Sequence, residues 1–189
     1  YLSSSGSQPL RRFIYDGAPS VSAETGPFGM VIQHSSAAAL AWQASTDPDG
    51  AVTWYEVPDP SGANRPTRLQ VPEVTAFNGG EGCWYADGMV YFTTKGDNHV
   101  RSLDPATDTI TVVYDGNGLL DGVDNVTVES GSGDLYVAED GGDMQVVVIT
   151  AEGEVAPIAQ ISAEPLPPEA IESEVTGPVF SPDGTRLYF

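Results

Sequence analysis

Gly82-Cys83-Trp84-Tyr85-Ala86-Asp87-Gly88-Met89-Val90-Tyr91-Phe92 reads as two short apolar strands folded back on an Asp-Gly turn, and the pattern returns twice. Its second copy is Val126-Thr127-Val128-Glu129-Ser130-Gly131-Ser132-Gly133-Asp134-Leu135-Tyr136-Val137. The third is Pro178-Val179-Phe180-Ser181-Pro182-Asp183-Gly184-Thr185-Arg186-Leu187-Tyr188-Phe189. Each copy is a strand, an Asp/Gly turn and a strand ending in an aromatic pair or Tyr-Val. Copies recur at about 45 to 52 residues, the spacing of propeller blades. A β-sandwich also holds hairpins but has no need of the repeat, so the pattern predicts an all-β chain and a β-propeller.

The neighbouring segments extend the pattern. Val52 to Val57 is β-branched and aromatic and stops at Pro58 and Pro60. Met89 to Thr94 follows the Asp87-Gly88 hairpin signal. His99 to Leu103, Thr109 to Tyr114, Asp134 to Ala138, Met144 to Thr150 and Val155 to Ile161 complete a meander of antiparallel strands. Ser35 to Gln43 is the best helical stretch, but it is short and has no amphipathic face, so it reads as a loop or edge segment. At about four strands per blade the length holds roughly three to four blades, fewer than most closed propellers have. Residues 1–189 are therefore expected to be one propeller portion, incomplete at both ends, with other chains as one way to complete the ring.

Charge narrows the function. The chain has 27 acidic residues against 7 Lys plus Arg, a formal net charge of −20. Such a surface repels nucleic-acid backbones and anionic membranes, and no apolar run is long enough for a membrane span. The acids read equally as a solvated coat and, in part, as ligands for hard cations. One cysteine, Cys83, leaves no internal disulfide and no cysteine-based zinc site. It reads as a small packed hydrophobe.

Four acidic loops stand before or after repeat strands. Glu81 lies in Gly79-Gly80-Glu81-Gly82, where glycines allow close backbone approach. Asp124 and Asn125 precede the corresponding strand of the second copy, although an Asx turn also explains them. Glu139 and Asp140 lie in Ala138-Glu139-Asp140-Gly141-Gly142-Asp143, which also reads as a solvated hairpin loop. Glu174, in Glu172-Ser173-Glu174-Val175-Thr176-Gly177, precedes the third copy much as Glu81 precedes the first. An acid before the strand in three copies favours convergence on a cation near the propeller axis. Other signals fail. Asp115-Gly116-Asn117-Gly118 is no EF-hand, because Leu119 and Leu120 stand where an oxygen and a glycine are needed. Ser130-Gly131-Ser132-Gly133 is no nucleophile elbow, and His34 and His99 have no partnering pattern.

These segments resemble the PhoX (DUF839) alkaline phosphatase family. Glu81-Gly82-Cys83-Trp84-Tyr85 with Val90 to Thr94 and Gly96-Asp97 is similar to its EGCWY run and the YF-TT-GD run that follows. Asp124 to Val128 and Gly133 to Gly141 are similar to its DNVTVSPRGDLYVAEDG stretch, and Ser173 to Gly184 to its SEFAGPCFSPDG stretch. Trp54 to Pro60 fits its W-x-E-I-P-D-P region, so the likeness runs over about residues 52–189. The resemblance implies a secreted or periplasmic propeller whose axial carboxylates hold calcium, with iron as a further ion, and hydrolyse small phosphate esters. It implies Glu81, Asp124, Asn125, Glu139, Asp140 and Glu174 as metal ligands, with Glu81 and Glu174 catalytic. The family's upstream GTWLTCEE run has no counterpart here, and its place would fall before Tyr1. Two other functions fit the repeat and its acids: a non-catalytic, calcium-stiffened extracellular propeller serving binding or assembly, and a calcium-dependent lactonase. The EGCWY and SEVTG blocks favour the phosphatase family over the lactonase.

Overall fold

The computed structural model describes residues 11–15, 21–26, 29–34, 39–46, 50–116, 118–141, 144–161 and 174–189. Residues 35–38, Asn117, Gly142, Asp143, Glu172 and Ser173, which figure in the sequence expectations, lie outside them. The chain divides into two compact units, one built mainly on Phe77–Phe189 and the other on Pro9–Asp47 and Val52–Ala76. The described residues hold no α-helix, only strands and one 3-10 turn.

In the unit of Pro9–Asp47 and Val52–Ala76, β1 (Arg11–Tyr15), β4 (Ala39–Thr46) and β5 (Val52–Glu56) form an antiparallel sheet with β4 in the middle. A separate hairpin joins β2 (Val21–Gly26) to β3 (Gly29–His34). The alanine-rich stretch expected to be a loop or edge is thus, from Ala39 onward, a central strand. Residues 39–43 pair with β1 and residues 42–46 with β5, and that pairing outweighs the weak strand preference of alanine. After β5 the chain folds over Val57 and Val71, both buried. Gln70 fixes this turn, accepting from Asp59 N at 2.7 Å and donating to Asp59 O at 2.9 Å.

The Phe77–Phe189 unit carries the repeat. Strands β6 (Gly80–Ala86), β7 (Met89–Thr94), β8 (His99–Asp104) and β9 (Thr109–Tyr114) form one four-stranded antiparallel meander. Strands β10 (Val123–Val128), β11 (Leu135–Glu139), β12 (Gln145–Ile149) and β13 (Val155–Gln160) form a second. A third begins with β14 (Val179–Phe180) and β15 (Leu187–Tyr188). The Asp87-Gly88 turn adopts the positive φ angles, 48° and 87°, that a two-residue hairpin of the right twist requires. Successive four-stranded blades in chain order make this a partial β-propeller, as the repeat predicts.

The second blade is covered on both faces. Toward the first it buries Val123, Val126, Val128, Val137 and Ile149, with Trp84 and Ala86 of β6 packed against them. On the other side Ala138, Val146 and Val175 are buried together, and Tyr136 meets Phe180 edge-to-face at 4.8 Å. Two apolar faces explain why β12 reads Val146-Val147-Val148 without polar alternation. By contrast β6 alternates after Gly82: Trp84 and Ala86 turn to the core, so Cys83 turns away and is exposed. The expectation of a packed Cys83 is corrected by this register.

Candidate metal centre

Both complete blades carry the same irregularity where the first strand begins. Between Gly80↔Thr94 and Cys83↔Phe92, β6 has one residue more than β7; between Val123↔Glu139 and Val126↔Val137, β10 has one more than β11. Such bulges re-aim side chains at the end of a ladder. They make Glu81 the positional equivalent of Asp124, and Gly82 that of Asn125.

The two bulges press on each other. A Cβ on Gly82 would lie 2.7 Å from Val126 N and 2.8 Å from Asp124 O, so only glycine admits this approach. Thr93, fully buried, accepts from Gly82 N at 2.7 Å and donates its hydroxyl hydrogen to Asp124 O. Upstream, Asn98 donates to Leu120 O at 2.6 Å and accepts from Val123 N at 3.1 Å. Tyr114 Oη accepts from Leu120 N at 3.1 Å and donates to Leu120 O at 3.0 Å. The first blade therefore clamps the loop that delivers Asp124.

Asp124, Asp140 and Glu174 come together at this end of the sheets, each offering a carboxylate oxygen within 4.8 Å of the others. Asp124 is buried, Asp140 partly buried and Glu174 exposed. Burial, reinforced by the charges of Asp140 and Glu174, pushes the Asp124 carboxyl above its usual range. Glu81 is raised by burial and then by Asp124, with Asp140 and Glu174 adding to it. Among the described residues a cation answers this crowding: Lys95, immediately after β7, pairs its Nζ with Asp140 Oδ2. Burial alone would lower the Lys95 amine, but the bond to Asp140 and the fields of Asp124 and Glu81 hold it above its ordinary value. Asn125 donates to Asp124 Oδ1 at 2.7 Å and, more weakly, to Thr176 Oγ1 at 3.4 Å. Its side chain is thus engaged inside a strand. An all-oxygen carboxylate set fits a hard cation, and an ammonium already stands there as counter-charge.

Of the six residues implied as ligands, the structure brings Asp124, Asp140 and Glu174 to one point, with Glu81 and Asn125 beside them. Glu139 is not among the three carboxylates that meet. It is fully buried, and its two oxygens accept the backbone N–H of Asp121 at 2.8 Å and of Gln145 at 2.9 Å. Those bonds give it a structural task, fixing the loop before β10 to the start of β12. Lys95 is the residue that sequence reading missed. Its signal was the repeat itself, since Lys95 follows Thr94 as Asp140 follows Glu139.

The fold and the acidic cluster define a class: β-propellers that gather carboxylates from successive blades around a candidate cation site. Within that class, the family model described as alkaline phosphatase PhoX matches residues 104–189, so a PhoX-family domain occupies that part of the chain. The matched segment contains Asp124, Asp140 and Glu174, whereas Glu81 and Lys95 precede it. No curated protein and no solved structure matches the chain. Over residues 104–189, the family match and the acidic cluster together support a metal-associated, phosphatase-like domain.

Proposed function

We propose that this propeller portion belongs to an enzyme that hydrolyses phosphate monoesters at a cation site formed by Asp124, Asp140 and Glu174. The observation that carries the reading is the meeting of those three carboxylates, drawn from β10, the end of β11 and the segment before β14, inside a PhoX-family domain. Calcium is the first ion to expect from an all-oxygen set, with iron as a second. A cation held by these carboxylates would supply charge to polarise a phosphoryl oxygen and to offset the repulsion between an anionic ester and an acidic protein. Around it, Asn125 orients Asp124 through its amide. Glu81, beside the three, is the group assigned to hold or move a proton at its carboxyl oxygen, and Glu174 shares the catalytic assignment. Extracellular or periplasmic placement suits weak calcium ligation, which needs the high calcium levels found there.

The test is release of p-nitrophenol from p-nitrophenyl phosphate by the calcium-loaded protein, repeated after chelation and after calcium is restored. Turnover that disappears with chelator and returns with the ion supports the reading. Calcium uptake without turnover replaces it with a non-catalytic, calcium-stabilised propeller.

A further inference from the structure

Lys95 and Asp140 occupy one position of the repeat. Each directly follows the second strand of its blade, and each donates its backbone N–H to a glycine before the first strand. Lys95 N bonds to Gly79 O at 2.7 Å, and Asp140 N to Gly122 O at 2.9 Å. At this position one blade presents an amine and the next a carboxylate, and the two side chains form an ion pair. The backbone of Lys95 is further held where Gly96 N donates to Asn78 O at 3.1 Å, so the amine is delivered from a fixed turn. Both side chains are about one-third exposed, which leaves the long lysine stem room to swing outward.

We propose that Lys95 is a built-in counter-ion of the acidic cluster, which holds the carboxylates together when no metal is bound and must leave Asp140 before a divalent cation can be ligated there. The inference rests on the cation-site reading above. Asp124, Asp140 and Glu174 crowd within 4.8 Å of one another, and an arrangement of like charges so close needs a positive partner. Lys95 provides one charge; a divalent ion provides two and demands the same Asp140 oxygen. The two cations therefore compete, and the amine sets a threshold that the ion has to exceed. Removing the amine gives opposite effects: the metal-free protein becomes less stable, while the cation binds more tightly.

The test uses the full chain stripped with chelator, as wild type, Lys95→Met and Lys95→Arg. Calcium affinity is measured by titration calorimetry, and metal-free stability by thermal melting. Lys95→Met keeps the apolar stem and removes the charge. It should lower the metal-free melting temperature and tighten calcium binding roughly tenfold or more, the scale expected on removing a unit charge a few ångströms from a divalent ion. Lys95→Arg keeps the charge and grips a carboxylate with a planar fork, so it should weaken calcium binding severalfold. The affinity order Met, Lys, Arg supports the inference. Calcium binding by wild type with equal or weaker binding by Lys95→Met overturns it and leaves the cation site standing. Should Lys95→Met fail to fold, the arginine variant decides: weaker binding than wild type supports the inference, and equal or tighter binding overturns it. A wild type that takes up no calcium overturns the inference and the cation-site reading together.

Discussion

Gly82→Ala tests the contact on which the centre depends. The added Cβ would sit 2.7 Å from Val126 N, 2.8 Å from Asp124 O and 2.9 Å from Asn125 Cα. Ordinary contact begins at about 3.4 Å, so each approach is about half an ångström or more too close, and all three atoms are backbone. Backbone held in a ladder yields only if β6 and β10 move apart, which also stretches the Thr93 bridge from Gly82 N to Asp124 O. Overpacking of this kind costs about 2 to 3 kcal/mol. Replacing glycine returns about 0.5 kcal/mol by restricting the unfolded chain. The net loss of about 2 kcal/mol corresponds to a fall in melting temperature of roughly 4 to 8 °C for a chain of this length. The assay is thermal unfolding followed by circular dichroism, with calcium affinity measured in parallel, which should fall because Asp124 moves with β10. A variant as stable as wild type or more so would refute the close approach of the two bulges.

Two further predictions concern charged groups with structural tasks. Glu139→Gln leaves one of the N–H groups of Asp121 and Gln145 facing an amide that cannot accept from both sides. It should cost about 2 kcal/mol, with equal drops in melting temperature with and without calcium; a selective loss of calcium affinity at full stability would return Glu139 to the ligand set. Asp97 is flanked by Arg101, which donates at 2.6 Å, and by Thr94. Burial would raise its carboxyl, but the bonds from Arg101 and Thr94 hold it below the ordinary 3.8. A depressed acid stabilises the fold above its unfolded value and loses that contribution as pH falls through the folded value. Asp97→Asn should therefore cost about 1 kcal/mol at neutral pH, allowing for solvent screening of a side chain one-third open. That cost should vanish in acid below the folded value; an equal loss at both pH values would show that the charge has no part in it.

The turns, the strand limits and the blade repeat were legible in residues 52–160, because hairpin chemistry and β-branched runs act locally. Asp87-Gly88 shows this directly, since the dipeptide that suggests a tight hairpin adopts the φ angles such a turn needs. Ala39 to Gln43 shows the limit: nothing local marks it as a strand, and it becomes one by pairing with β1 along its length and with β5 at Trp42 and Gln43. The site divides in the same way. Acids before successive repeat strands could be read along the chain, which put Glu81, Asp124 and Glu174 in view, while Asp140 stood only as one of two adjacent acids at a strand end. Which of those two turns toward the cluster was not legible, because successive strand residues point to opposite sides and only the packed neighbours say which side is which. Glu139 went inward to two backbone donors and Asp140 to the rim. The repeat aligns Lys95 with Asp140, 45 residues further on, but that their side chains meet is decided by tertiary structure. Sequence determined that carboxylates would stand at the ends of repeated strands; only the docking of one blade on the next, through the bare backbone at Gly82, decided which of them share a point and which cation faces them.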